Sequence, residues 1–183
     1  MGIRGTRKSS NKNEYKEPNL LAKVEDVIQK ARENGYYQGE SLKIDDLIKT
    51  FNDIEVHYVE MEPSKSGSLK KQGDIWILTV NKNHHKRRQN FTLAHELGHY
   101  FLHKENNIEF EDSTFFRSDN MDSLEYAAND YAAQLLMPED RVRYLIDNEK
   151  IKNIGDLAAK FGVSSAAMKY RALSLGYKMK ENG

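Results

Sequence analysis

The chain has 183 residues, enough for one compact domain with a small helical appendage. Its 28 Lys and Arg balance 28 Asp and Glu, so the molecule as a whole exerts no general pull on nucleic acid or an anionic membrane, and any such binding has to be local. The absence of cysteine excludes disulfides, thiolate metal ligands and cysteine nucleophiles, which leaves histidines and carboxylates as the side chains able to hold a metal.

Residues 1–18 are polar, basic and unpatterned, and read as a flexible tail without assigned chemistry. No apolar run follows the first charges and no later stretch is long and apolar enough to span a bilayer, so the expected location is the cytoplasm, with no membrane partner. From Leu20 to about Arg32, Leu21, Val24, Val27, Ile28 and Ala31 fall at helical spacing, and Asn34-Gly35 supplies the stop. Ser41 is expected to cap a short second helix through Ile44, Leu47, Ile48 and Phe51. Two β-like runs, Ile54 to Val59 and Asp74 to Val80, flank a Pro-, Ser-, Gly- and Lys-rich stretch of turn character and predict a small antiparallel sheet. A helix from about Gln89 to His103, a polar acidic stretch to about residue 121 and another long helix from about Asp122 to Met137 follow, with Pro138 as a break and shorter helices beyond. The expected fold is α+β and mainly helical: a tail (1–18), a main domain (19–140) and a C-terminal helical segment (141–183) packed on it.

The chemistry concentrates in His95-Glu96-Leu97-Gly98-His99. Residues four apart on a helix project from one face, so both imidazoles can grip one ion. Glu96 is offset from His95 by about 100°, which sets its carboxylate beside the ion, where it can take a proton from an attacking water and return one to a leaving amine. Leu93, Ala94, Leu97, Tyr100 and Phe101 occupy the opposite side of the wheel and are expected to anchor the helix in the core.

A catalytic zinc site takes three protein ligands and keeps one position for water. His103 is too far for this role, about 12 Å from His95 along the axis at a rise of about 1.5 Å per residue, and reads as structural or supporting. The extended pattern His-Glu-x-x-His-x-x-Gly-x-x-His fails at Leu102 and Glu105. Glu125 is the best candidate: Ala128 and Ala132 share its helical face, and such small side chains let the two long helices approach closely. Asp122 and Asp130 are weaker alternatives, and Glu105, Glu109, Glu111 and Asp112 belong to the acidic stretch. Asn129, one turn after Glu125, is placed to orient a ligand histidine or Glu125 itself. The strand at Ile75 to Val80 offers an edge for a substrate backbone, and Tyr100, Tyr126 and Tyr131 are candidate donors to a developing oxyanion.

The block from Arg88 to His103, Arg-Gln-Asn-Phe-Thr-Leu-Ala-His-Glu-Leu-Gly-His-Tyr-Phe-Leu-His, together with Glu125-x-x-Ala-Asn-x-Tyr-Ala-Ala-x-Leu-Leu-Met-Pro, resembles the ImmA/IrrE family of metallopeptidases. The resemblance spans roughly residues 20–175 and is strong in the two blocks. It implies a zincin-like fold, with His95, His99 and Glu125 as metal ligands and Glu96 as catalytic base. It further implies a zinc-dependent endopeptidase, bacterial or carried on a mobile element, that cleaves a helix-turn-helix transcriptional repressor, some relatives lying in toxin–antitoxin-like gene pairs. One Zn²⁺ is the expected cofactor, with Mn²⁺ or Fe²⁺ as alternatives where availability overrides affinity.

A different class of function is suggested by Ile154 to Leu173, which has the pattern of a helix-turn-helix with Ala158, Gly162 and Met168 at suitable spacing and Ser164 near a cap. Residues 141–183 hold nine Lys or Arg against four Asp or Glu, and Lys169 and Arg171 fall on the second helix as candidate phosphate contacts. A regulator that binds an antitoxin-like partner is the third alternative, and the presence of Glu96 argues against a purely structural metal site.

Overall fold

The computed structural model describes residues 23–103 and 119–178, apart from the side chains of 103 and 119–123. The expected tail, the acidic stretch with Glu105, Glu109, Glu111 and Asp112, and the side chains of His103 and Asp122 lie outside the described residues.

The first helix, α1 (Val24–Glu33), buries Val24, Val27 and Ala31 at the predicted spacing. It ends at Asn34, and Gly35 adopts a φ of 68° that favours glycine. Ser41 does not cap a helix: it pairs in a hairpin, β1 (Tyr37–Gln38) with β2 (Ser41–Leu42), and the helix α2 (Ile44–Ile48) begins after Lys43 without a side-chain cap. Strands of two residues carry too little periodicity to be read from a sequence.

The sheet differs from the expected one in a specific way. Strands β3 (Ile54–Val59) and β5 (Ile75–Asn81), the two runs visible in the sequence, lie parallel, Ile54 opposite Trp76 and Val59 opposite Asn81. The antiparallel partner of β5 is a further strand, β4 (Gly67–Gln72), within the stretch read as turn, and the order is β3-β5-β4. The central strand is therefore β5, and the exposed edge beside the cleft belongs to β4. Asn81, fully buried at the end of β5, donates through Nδ2 to the carbonyls of Met61, Glu62 and Lys65 and so fastens the connection that leads into β4.

Of two long helices, α3 (Lys86–His103) packs on β4 and β5, and α4 (Asp119–Leu136) packs along α3. The predicted anchor residues Leu93, Ala94, Leu97, Tyr100 and Phe101 are all buried. Beneath α3, the Tyr100 ring meets Trp76 edge-on at 5.8 Å, and its hydroxyl donates to both Asp53 carboxylate oxygens at 2.8 and 3.0 Å. Pro138 ends α4 and opens α5 (Glu139–Arg143), which continues into a π-helical turn (Tyr144–Asn148).

The C-terminal pair, α6 (Ile154–Phe161) and α7 (Ser165–Ser174), is capped by Asn153 and Ser164, and Gly162 turns between the helices at a φ of 67°. Leu157, Phe161, Met168 and Ala172 join the same core as Leu93 and Leu135. The fold is α+β and mainly helical, as expected.

Candidate metal centre and cleft

The approach of α3 to α4 is set by missing side-chain volume. A Cβ on Gly98 would lie 3.2 Å from the Cα and carbonyl oxygen of Ala128 and from Tyr131 Cβ, so the middle of the His-Glu-x-x-His segment touches the backbone of α4 directly. Ala128 and Ala132 are fully buried at this seam. The small residues on the Glu125 face thus act as the spacing suggested, with Gly98 as their counterpart on α3.

Across the seam, three ligand groups converge. His95 Nε2 lies 3.0 Å from His99 Nε2 and 3.4 Å from Glu125 Oε2, and His99 Nε2 lies 3.2 Å from Glu125 Oε1. A tetrahedral zinc about 2.0–2.1 Å from each ligand separates ligand atoms by about 3.3 Å, so the three distances match edges of such a tetrahedron. All three residues offer atoms within 4.8 Å of one another, and no other such group occurs among the described residues. The donors, two imidazoles and one carboxylate, suit a borderline-soft divalent cation.

Asn129 Oδ1 accepts from His95 Nδ1 at 3.1 Å, which fixes the ring orientation and leaves Nε2 as the metal-binding atom of the neutral imidazole. Asp130 instead turns to Gln134, whose Nε2 donates to it at 2.8 Å.

The electrostatics favour positive charge at this point. Burial disfavours a charged His95, but Glu125, Glu96 and the Asn129 contact outweigh it and raise its pKa. The bonds to His95 and His99 hold the Glu125 carboxyl well below the usual range. Glu96 behaves differently: it is 8% exposed, and burial pushes its pKa up against the opposing pull of the two histidines. Neither histidine bonds it, so its carboxylate stays available for proton transfer.

These groups open into a cleft of about 400 Å³ between α3 and the β4 edge. From α3 come Arg88, Phe91, Thr92, His95, Glu96 and His99, a stripe at helical spacing; Ser66 to Lys70 form the facing rim. Gly67 brings the rim in: a Cβ there would stand 2.5 Å from Thr79 O and Thr92 Cγ2, and 3.6 Å from Glu96 Oε1. The sequence reading missed Gly67 and the rim it holds, because a glycine among serines and lysines reads as turn.

The candidate oxyanion donors fall elsewhere. Tyr100 is buried on Asp53, Tyr131 is buried in the core, and Tyr126 is 63% exposed; none lines the cleft. On α7, Lys169 is exposed, but Arg171 is only 5% exposed and its Nε donates to Met137 O at 3.0 Å. The expected phosphate contact at Arg171 is thus corrected: the guanidinium fastens α7 to the end of α4.

An α+β fold with a His-His-Glu cluster on two apposed helices, and a glutamate beside it in an open cleft, defines a metallopeptidase-like site. Residues 51–173 match the Peptidase_M78 family, described as the IrrE N-terminal-like domain, and the chain belongs to that family. It is also similar to the metallopeptidase ImmA of Bacillus subtilis (strain 168), 30% identical over 111 residues that cover 58% of this chain and 60% of that protein. The chain thus spans about three fifths of the length of this curated relative. Among the described residues no helix is long and apolar enough to cross a membrane.

Proposed function

We propose that the chain is a zinc-dependent endopeptidase, with His95, His99 and Glu125 as ligands and Glu96 as general base. The observation that carries this reading is the convergence of the three ligand atoms at 3.0–3.4 Å, with Glu96 lining the same cleft.

Bound there, the ion supplies Lewis acidity toward a peptide carbonyl and lowers the pKa of an attacking water. Glu96 takes the proton of that water on its carboxylate and delivers it to the amine nitrogen as the peptide C–N bond breaks. Asn129 holds the His95 ring in place throughout. The β4 edge, paired on one side only among the described residues, accepts an extended substrate backbone, a role the sequence pattern assigns to the strand at Ile75 to Val80.

The preferred substrate is a helix-turn-helix repressor or antitoxin-like protein in the cytoplasm, as the resemblance of the Arg88–His103 and Glu125–Pro138 blocks to the ImmA/IrrE family implies. DNA binding through α7 is less favoured, since Arg171 is committed to the core and leaves Lys169 alone.

Metal content by mass spectrometry tests the site. Wild type and Glu96→Gln are expected to hold near-stoichiometric zinc and His99→Ala and Glu125→Ala to lose it, with Asn129→Ala weakening affinity by about tenfold or more. Glu96→Gln is expected to be inactive on any protein that wild type cleaves. Wild type without zinc after metal reconstitution, or zinc indifferent to both ligand changes, overturns the reading.

A further inference from the structure

Among the described residues the cleft is lined by two cations, Arg88 and Lys70, and by two carboxylates, Glu96 and Glu125, both of which sit at the metal centre. Arg88 lines one end of the cleft and makes no ion pair among the described residues. Its partner is neutral: Nε and Nη2 donate to Ser66 Oγ at 3.2 and 2.9 Å. One edge of the guanidinium is therefore fixed on the β4 rim, while the rest of this exposed side chain remains open to the cleft. A guanidinium held in this way loses little further freedom on binding a carboxylate, which it meets with a planar, two-pronged set of donors.

Its distance from the reaction centre follows from the helix. Arg88 precedes His95 by seven residues, about 10.5 Å along α3 at a rise of about 1.5 Å per residue. The rim runs the same way, with Ser66 at Arg88 and Gly67 at Thr92 and Glu96. A peptide extended along this rim covers 10.5 Å in about three residues.

We infer that Arg88 is a specificity-determining residue that selects substrates bearing an aspartate or glutamate about three residues from the scissile bond. This inference rests on the endopeptidase reading above. Lys70, exposed at the opposite part of the rim and likewise without an ion pair among the described residues, adds a weaker, less directional attraction.

The test uses pools of twelve-residue peptides, acetylated and amidated so that only side chains carry carboxylates, with cut sites read by mass spectrometry. Zinc-loaded wild type is expected to enrich Asp or Glu over Asn or Gln by about tenfold at one position near the third residue from the cut, the scale of a charge-assisted hydrogen bond. Arg88→Met removes the enrichment, and Arg88→Glu replaces it with Lys or Arg, zinc content being unchanged in both. No acidic enrichment in wild type, or its survival in Arg88→Glu, overturns the inference. Cleavage of no peptide at all counts against the endopeptidase reading instead. Fluorescence anisotropy with zinc-loaded Glu96→Gln and labelled acidic and neutral peptides then decides the charge preference separately: preference reversed by Arg88→Glu sustains it, and equal binding overturns it.

Discussion

The two walls of the cleft are built by different means. The helical wall, α3 against α4, is a seam of small residues with backbone touching backbone, and it fixes three ligand atoms within a few ångströms. The strand wall, β4 with Ser66 before it, meets α3 at Gly67 and through the Arg88–Ser66 contact, and Leu69 is buried in the core. A metal site needs its ligands fixed in mutual position, and substrate binding needs an accessible edge with free backbone donors and acceptors. Damage to the first wall should therefore remove the metal, and damage to the second should spare the metal and impair turnover.

The largest effect is expected at Gly98. Glycine to alanine inside a helix ordinarily stabilises by up to about 1 kcal/mol. Here the added carbon meets the Ala128 backbone and Tyr131 Cβ at 3.2 Å, so the sign reverses. Gly98→Val, with two more methyl groups, should drive α4 outward, cost about 1–3 kcal/mol or more in urea unfolding, and carry Glu125 away from the histidines. Zinc titration should show at least a tenfold loss of affinity. Unchanged affinity would mean that the seam does not set the site.

Gly67→Ala sharpens the contrast. Its Cβ would meet Thr79 O and Thr92 Cγ2 at 2.5 Å, so β4 has to retreat from α3. Zinc content should match wild type, while kcat/KM on a cleaved peptide falls by about tenfold, the order expected when a substrate is misplaced by a fraction of an ångström to an ångström. Adding Thr92→Ser should recover only part, because the Thr79 carbonyl is backbone and cannot be trimmed.

The same contrast explains what the sequence made legible. The helical wall announces itself: histidines four apart, alanines on the Glu125 face and an apolar side opposite, all at the period of a helix. The buried anchors Leu93, Leu97 and Tyr100 and the convergence of His95, His99 and Glu125 followed from it. The strand wall is silent because Leu69 is its one buried side chain, and Gly-Ser-Leu-Lys-Lys-Gln has the composition of a loop. Without β4 the two visible strands read as an antiparallel pair, although β5 binds β3 in parallel. Arg171 misled for a related reason, since periodicity assigns a residue to a helix but does not say which neighbour its long side chain will reach.

The smallest effect should come from Asp45, which bonds the far end of α3 away from the Gly98 seam and the β4 rim. It accepts from the Tyr58 hydroxyl on β3 and from Lys86 Nζ at 2.9 Å, which ties α2 to the sheet and to the first residue of α3. Burial raises its pKa, but the Tyr58 and Lys86 bonds win, and the net shift is downward. A carboxyl whose folded pKa lies below its unfolded value stabilises the protein above the unfolded pKa of about 3.9, and that contribution disappears as pH falls through the folded pKa. Asp45→Asn should therefore cost about 1 kcal/mol or less in urea unfolding at pH 7, and the gap to wild type should narrow at acid pH below that value. Zinc content and kcat/KM at pH 7 should be unchanged, because the tie secures the end of α3 some nine residues before His95 and the seam at Gly98 holds the ligands without it. A gap independent of pH would mean that Asp45 acts through packing rather than through its charge.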